Sequence, residues 1–273
     1  MVVNLVMHKM NRRYFMRLLA GAGAAMAGFG KPAFAMAEGV RGPSLPWARL
    51  KFPCRGGDRD DWNVHPQGDL NLINEMRIKA SLNVEQHWYV ADSAKLEAMT
   101  PFPFIFMHAE LAPNLGETDV ANLREYLLRG GFLFAEDCVN GKIRGLSSNG
   151  TGDEFFRRMR DIEFPRILPK ARLEKLPDDH PVFHCFYHFS NGLPHMQGVP
   201  HGLHGLMQDG RLLALLSPSD LHCGWTNGEQ WFGHKKHVES LQMGTNIYVF
   251  AMTKGGAVNP SPTSAPKGSA VGG

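Results

Sequence analysis

The stretch Gly130-Gly131-Phe132-Leu133-Phe134-Ala135-Glu136-Asp137-Cys138 constrains this chain most. A helical pattern over about Thr118 to Arg129 runs into a glycine pair, and glycine takes the left-handed conformation that helix ends need. The apolar run that follows is too short for a helix and is bounded by turn residues, so it reads as a buried strand. It ends on an acid and a thiol. In open α/β sheets, ligands sit outside the carboxyl ends of the strands, so Asp137 and Cys138 occupy a place where function collects.

Around this stretch the periodicities alternate. Trp47 to Phe52 predicts a first strand and Gly68 to Ser81 a helix, with Leu70, Ile73, Met76 and Ala80 at helical spacing. Val84 to Val90 and Phe102 to Met107 predict two more strands, and Thr118 is the expected cap of the helix before the central strand. A Gly/Ser-rich loop follows Cys138 through Gly152. Asp153 to Arg160 predicts a short helix with Phe155, Phe156 and Met159 inward, and Leu173 to Leu176 another strand. Leu203 to Met207 and Arg211 to Ser217 flank Gln208-Asp209-Gly210, and Asp-Gly is a strong hairpin signal. A loop is expected over Ser217 to Trp225, then a closing helix from His237 to Thr253. Strands alternating with helices imply a mostly parallel sheet covered on both faces. The expectation is therefore one three-layer α/β domain over residues 47–253 with a C-terminal hairpin addition.

The ends of the chain read differently. Asn11-Arg12-Arg13-Tyr14-Phe15-Met16-Arg17 precedes an apolar stretch, Leu18 to Phe29, and small residues near Ala35 and Ala37. A charged region, an apolar region and an A-x-A site make a secretory signal peptide. The arginine pair points to the twin-arginine pathway, with that translocase as the partner during export. The apolar stretch is shorter than the roughly 20 residues a spanning helix needs, so no membrane span is expected after cleavage. Residues 1–37 are read as leader and 38–46 as linker, and the protein is expected in the periplasm or outside the cell. From Gly255 onward, Gly, Pro, Ser and Ala dominate, and residues 254–273 are expected to stay disordered. The net charge of +3 comes without a basic stripe, which argues against nucleic acid as a partner.

Three segments gather reactive side chains: Glu136-Asp137-Cys138, Asp178-Asp179-His180, and Asp220 with His222 and Cys223. A nucleophilic reading uses Cys138 with Asp137 and with His180 or His222 as base. A metal reading uses Cys138, His222 and Cys223 around a transition ion such as zinc or copper. Glu136, Asp179, Asp220 and Trp225 are candidate ligand contacts. Against these stand blander roles. Free cysteine is among the most buried residue types, and Cys138 and Cys223 in an oxidising compartment also suit a disulfide. His180, before a proline, suits a structural turn, and Cys185 suits the core. Neither H-E-x-x-H nor paired C-x-x-C is present, so no zinc motif decides between these roles.

Several short motifs fall together: Phe52-Pro53 with Gly56-Gly57 and Trp62, Asn71-Leu72, Tyr126-Leu127 with Gly130-Gly131-Phe132-Leu133, and Asp137-Cys138. Asp179-His180-Pro181-Val182-Phe183, Gly192-Leu193-Pro194, Ser217-Pro218 with Asp220, Gly224-Trp225, and Met243-Gly244 with Asn246 continue the pattern. From about Trp47 to Met252 the chain resembles a bacterial domain-of-unknown-function family, number 4159. That family is similar to the class I glutamine-amidotransferase-like and ThuA-like folds, so the resemblance implies a flavodoxin-like sheet. In the amidotransferases the matching strand end bears a nucleophilic Cys in a G-x-C-x-G turn. Here Glu136 and Asn140 stand where those glycines belong, and no His-x-Glu partner is visible, so glutaminase activity is not carried over.

The missing catalytic signatures favour a periplasmic ligand-binding or scaffolding module for an unknown small ligand or protein. The alternative is a thiol- or metal-dependent enzyme of hydrolase or acyl-transfer type using the Cys/His/Asp cluster.

Overall fold

In this computed structural model the described residues are 43–56, 61–139 and 153–253. The expected leader, the loop after Cys138 and the C-terminal tail lie outside them. The strands are β1 (Leu45–Lys51), β2 (Val84–Asp92), β3 (Phe104–Ala109), β4 (Phe132–Asp137), β5 (Arg172–Lys175), β6 (His204–Gln208) and β7 (Arg211–Ser217). The longer helices are α1 (Gln67–Ile78), α2 (Glu117–Leu128), α3 (Leu221–Phe232) and α4 (His234–Thr253). Among the described residues, no helix is long and apolar enough to cross a membrane.

The strands form one sheet of seven in the order β2-β1-β3-β4-β7-β6-β5. The first five in that order pair in parallel, while β6 and β5 pair antiparallel. This is the α/β, mostly parallel, flavodoxin-like three-layer architecture. The C-terminal hairpin is more than an addition. Asp209 (φ 51°) and Gly210 (φ 72°) make the tight turn that type I′ hairpins need. Its second arm, β7, then enters the sheet as a parallel neighbour of β4, and only β6 and β5 form the antiparallel edge.

Each face of the sheet is buried by its own layer. Leu50, Ile105, Met107, Leu133, Ala135 and Leu216 pack with α2 residues Val120, Leu123 and Leu127 and with Phe155 and Phe156. The alternate residues, Trp47, Phe104, Phe106, Phe132, Phe134 and Leu215, pack with α1, α3 and α4 through Leu72, Ile73, Met76, Trp225, Met243 and Ile247. Strands buried on both faces read as continuous apolar runs, which is why β3 and β4 stand out in the sequence.

The entry to β4 is built by close approach. Gly130 takes φ +101°, and a Cβ on Gly131 would lie 2.3 Å from the Tyr126 ring. Tyr126 Oη in turn donates to the carbonyls of Phe102 (3.0 Å) and Phe132 (3.2 Å), fixing α2 onto the starts of β3 and β4. The cap of α2 is not Thr118. The helix starts at Glu117, and Asp119 Oδ2 accepts from the Gly116 amide at 2.9 Å. The short helix Glu154–Arg158 continues through a π-helical turn, Met159–Glu163, into Phe164–Ile167, with Phe155, Phe156 and Met159 buried as expected.

The expected loop over Ser217 to Trp225 is mostly helix. α3 begins at Leu221, so His222, Cys223 and Trp225 sit on its first turns. Its signal is hidden in the sequence because the residue that starts it, Asp220, is left-handed (φ 57°), and the helix contains two glycines and a non-helical residue, Asn227. The last helix starts at His234 rather than His237, separated from α3 by Gly233 at φ +82°.

Candidate functional site at the carboxyl edge of the sheet

Side chains alternate along a strand, and this alternation builds the site. On the face shared with α1 and α3, the apolar rows end in polar residues. Trp47-x-Arg49 runs along β1, Phe104-x-Phe106-x-His108 along β3, Phe132-x-Phe134-x-Glu136 along β4 and Leu215-x-Ser217 along β7. The register puts His108 beside Glu136 and Glu136 beside Ser217. All four residues, Arg49, His108, Glu136 and Ser217, are fully buried.

The chain order reverses here. From β1 it steps out to β2, then returns across β1 to β3. The crevice between β1 and β3 is the switch point where open α/β sheets bind ligands. The loops that follow these two strands are tied across it. The Arg55 amide donates to the Ala112 carbonyl (2.8 Å) and the Asn114 amide to the Pro53 carbonyl (2.9 Å).

One buried network centres on Asp69 in α1. Trp47 Nε1 donates to its Oδ1 at 2.7 Å, Arg49 Nη1 pairs with its Oδ2 at 3.3 Å, and His222 Nε2 lies 3.2 Å from Oδ2. Burial alone would raise the Asp69 pKa, but the Arg49 charge and the hydrogen bonds from His222 and Trp47 hold it below the ordinary value. The His108 ring lies over His222 with centroids 4.2 Å apart, and its Nδ1 is 3.2 Å from the Glu136 carbonyl. Burial, then the neighbouring His222 and Arg49, pushes His108 well below the usual imidazole value. Arg49 Nε, His108 Nε2 and His222 Nδ1 are buried without a hydrogen-bond partner among the described residues.

Glu136 anchors α3. Its Oε1 accepts from Ser217 Oγ (2.9 Å) and the Leu221 amide (2.8 Å), and its Oε2 from the His222 amide (2.9 Å). The first amides of a helix lack partners within it, and a carboxylate satisfies them. Burial and the charge of Asp220 raise the Glu136 pKa well above the ordinary range, against the pull of those hydrogen bonds.

Beside this network, Cys138, Asp220 and Cys223 meet, all buried, with candidate ligand atoms within 4.8 Å of one another. The four cysteines are free thiols. A hydrogen bond to Cys223, burial and the Asp220 charge push the Cys138 thiol well above its ordinary pKa. A protonated thiol is a weak nucleophile, so this arrangement does not activate Cys138 for acyl transfer.

Of the residues singled out from sequence, the structure thus joins Glu136, Cys138, Asp220 and Cys223. His222 belongs to the Asp69 network rather than to a shared set with Cys223. Consecutive residues on a helix point about 100° apart, following from 3.6 residues per turn. Asp137 alternates onto the opposite face of the sheet, where its Oδ2 accepts from the Phe156 amide at 2.9 Å. Burial raises its pKa well above the ordinary carboxylate value.

His180 is not assembled with Cys138. Its Nδ1 accepts from the Val182 amide (3.2 Å) and its ring lies 5.4 Å from Phe250. Phe250 is two residues from Tyr248, whose Oη donates to the Pro46 carbonyl at the amino end of β1. His180 therefore packs against α4, with Asp179 exposed beside it. Trp225 is core, with its Nε1 donating to the Ser240 carbonyl at 2.8 Å. Arg49, Asp69 and His108 were missed as site residues. The signal available for Arg49 and His108 was the period of two continuing past the aromatic rows into a charged side chain.

The fold and this edge define an α/β protein with a buried polar cluster at the switch point of its sheet. A family model described as "Domain of unknown function (DUF4159)" matches residues 48–252, and the chain belongs to that family. No curated protein matches the chain.

Proposed function

We propose that this protein is an exported binding module whose small polar ligand is held at the carboxyl edge of the sheet, around the β1/β3 reversal. The observation that carries this reading is the burial of Arg49, Asp69, His108 and His222 together at that point, with three ring or guanidinium nitrogens lacking a protein partner among the described residues. Buried polar groups without partners are costly, and a core built only for stability would replace them with apolar residues. Thermal-shift screening against a panel of small polar metabolites tests the reading. At least one compound is expected to raise Tm for the wild type and to lose that effect in His108→Phe. A panel without any shift would reduce the cluster to a structural network.

Export rests on Asn11-Arg12-Arg13-Tyr14-Phe15-Met16-Arg17 and the apolar stretch behind it. Replacing Arg12 and Arg13 with lysine is expected to leave uncleaved protein inside the cell. Unchanged periplasmic recovery of that variant would remove the twin-arginine route.

A second reading, a thiol- or metal-dependent enzyme, draws on the meeting of Cys138, Asp220 and Cys223. Its thiol-nucleophile form is opposed by the raised pKa values of Cys138 and Cys223 and by the packing of His180 on Phe250. Its metal form has support in the chemistry of the three side chains.

A further inference from the structure

Cys138 lies one residue past the end of β4, on the same side as Glu136. Cys223 lies three residues into α3. Asp220 precedes that helix in the left-handed conformation, φ 57°. This turns its carboxylate over the first turn, where Oδ1 accepts from the Cys223 amide (3.4 Å) and Oδ2 from the Val139 amide (3.1 Å) and Gln197 Nε2 (2.6 Å). These three hydrogen bonds hold the carboxylate beside the two thiols. Each oxygen keeps lone-pair capacity, because an ionised carboxylate accepts about four hydrogen bonds in all.

The spacing suits a metal. Tetrahedral zinc with thiolates at about 2.3 Å holds its sulfurs about 3.8 Å apart. The ligand atoms of Cys138, Cys223 and Asp220 all lie within 4.8 Å, so small side-chain rotations close the set. Two thiolates and a carboxylate around a divalent ion leave one negative charge. The buried Arg49 guanidinium, close enough for its charge to interact with Cys138, offsets part of it.

We propose that Cys138, Cys223 and Asp220 bind one thiophilic divalent cation, zinc foremost, with a fourth position open to water or to an acidic group of a ligand. A hard carboxylate beside two thiolates fits zinc better than monovalent copper, which prefers sulfur throughout. On binding, each thiol gives its proton to solvent and the sulfur takes the metal. The proposal deepens the reading of this edge as a binding site by naming a first occupant.

The test uses the protein purified without chelators and reduced with a phosphine, titrated with Co²⁺ and then Zn²⁺. The expected result is one equivalent of metal by mass spectrometry and a thiolate-to-cobalt charge-transfer band that zinc displaces. Bound zinc should also shield Cys138 and Cys223, but not Cys185, from alkylation. Cys138→Ser and Cys223→Ser should abolish the band. Asp220→Asn, which keeps the cap and tolerates the left-handed backbone, should weaken binding about tenfold or more. Cys54→Ser should leave it unchanged. Folded, reduced wild type without the band, or a band that survives loss of both thiols, overturns the proposal. The alkylation readout needs no variant, so a cysteine replacement that fails to fold does not decide the matter. Metal uptake without any organic ligand supports this site and sinks the small-molecule reading, while organic binding without metal does the reverse.

Discussion

Glu136 accepts the His222 amide at 2.9 Å, so a strand carboxylate holds the start of α3 against the sheet. The same carboxylate takes the Leu221 amide and the Ser217 hydroxyl. In Glu136→Gln, the side-chain amide would set a donor against one of these donors. A buried donor left unsatisfied costs about 1–3 kcal/mol. Urea unfolding of Glu136→Gln should show a loss of that size. An unchanged midpoint would mean that the helix start is held by packing alone.

Asp69 and Arg49 form a buried ion pair. Removing one partner of such a pair costs about 3–5 kcal/mol, because the other charge stays buried. Asp69→Asn should therefore destabilise strongly. The double replacement Arg49→Met with Asp69→Leu should cost less than Asp69→Asn alone. A double variant less stable than the single one would show that the network holds more than its own charges.

His108 makes stability depend on pH. Its pKa is depressed in the folded protein by burial and by His222, Arg49 and His65, with the Glu136 carbonyl opposing. The unfolded chain binds a proton near pH 6.5 that the folded chain refuses. This contribution is complete above about pH 6.5 and is lost as pH falls below it, at up to about 1.4 kcal/mol per pH unit. His108→Phe keeps a ring stacked on Phe106 and should flatten the acid limb of the stability curve. The check is urea unfolding at about pH 7.5 and about pH 5.5. Equal slopes in wild type and variant would rule His108 out as a source of acid lability.

The glycine pair before β4 should not respond uniformly. Gly131→Ala drives a Cβ into the Tyr126 ring, and overpacking of this kind costs about 1–3 kcal/mol. Gly130→Ala meets no atom within 4 Å and strains only the backbone at φ +101°. Thermal unfolding should rank Gly131→Ala as the more damaging. The opposite order would place the constraint in the turn rather than in the tyrosine contact.

Most of the architecture was legible in local pattern. The runs Phe102 to Met107 and Phe132 to Asp137 announced strands buried on both faces, and Asp209-Gly210 announced its hairpin. The start of α3 was illegible because a left-handed Asp220 and the glycines that follow look like a loop. Cys138 and Asp220 were legible as candidates because they lie at strand ends. His180 looked equivalent by composition, yet its turn packs on α4.

The amino-acid order by itself determined the elements, their alternation and the polar ends of the apolar rows, because periodicity and turn chemistry act over a few residues. Only the tertiary structure decided which ends meet. Arg49, Asp69, His108, Glu136, Cys138 and His222 come from segments far apart in the chain. Their convergence follows from strand order and register, and no local pattern encodes the placement of β1 beside β3 or of α3 over β4.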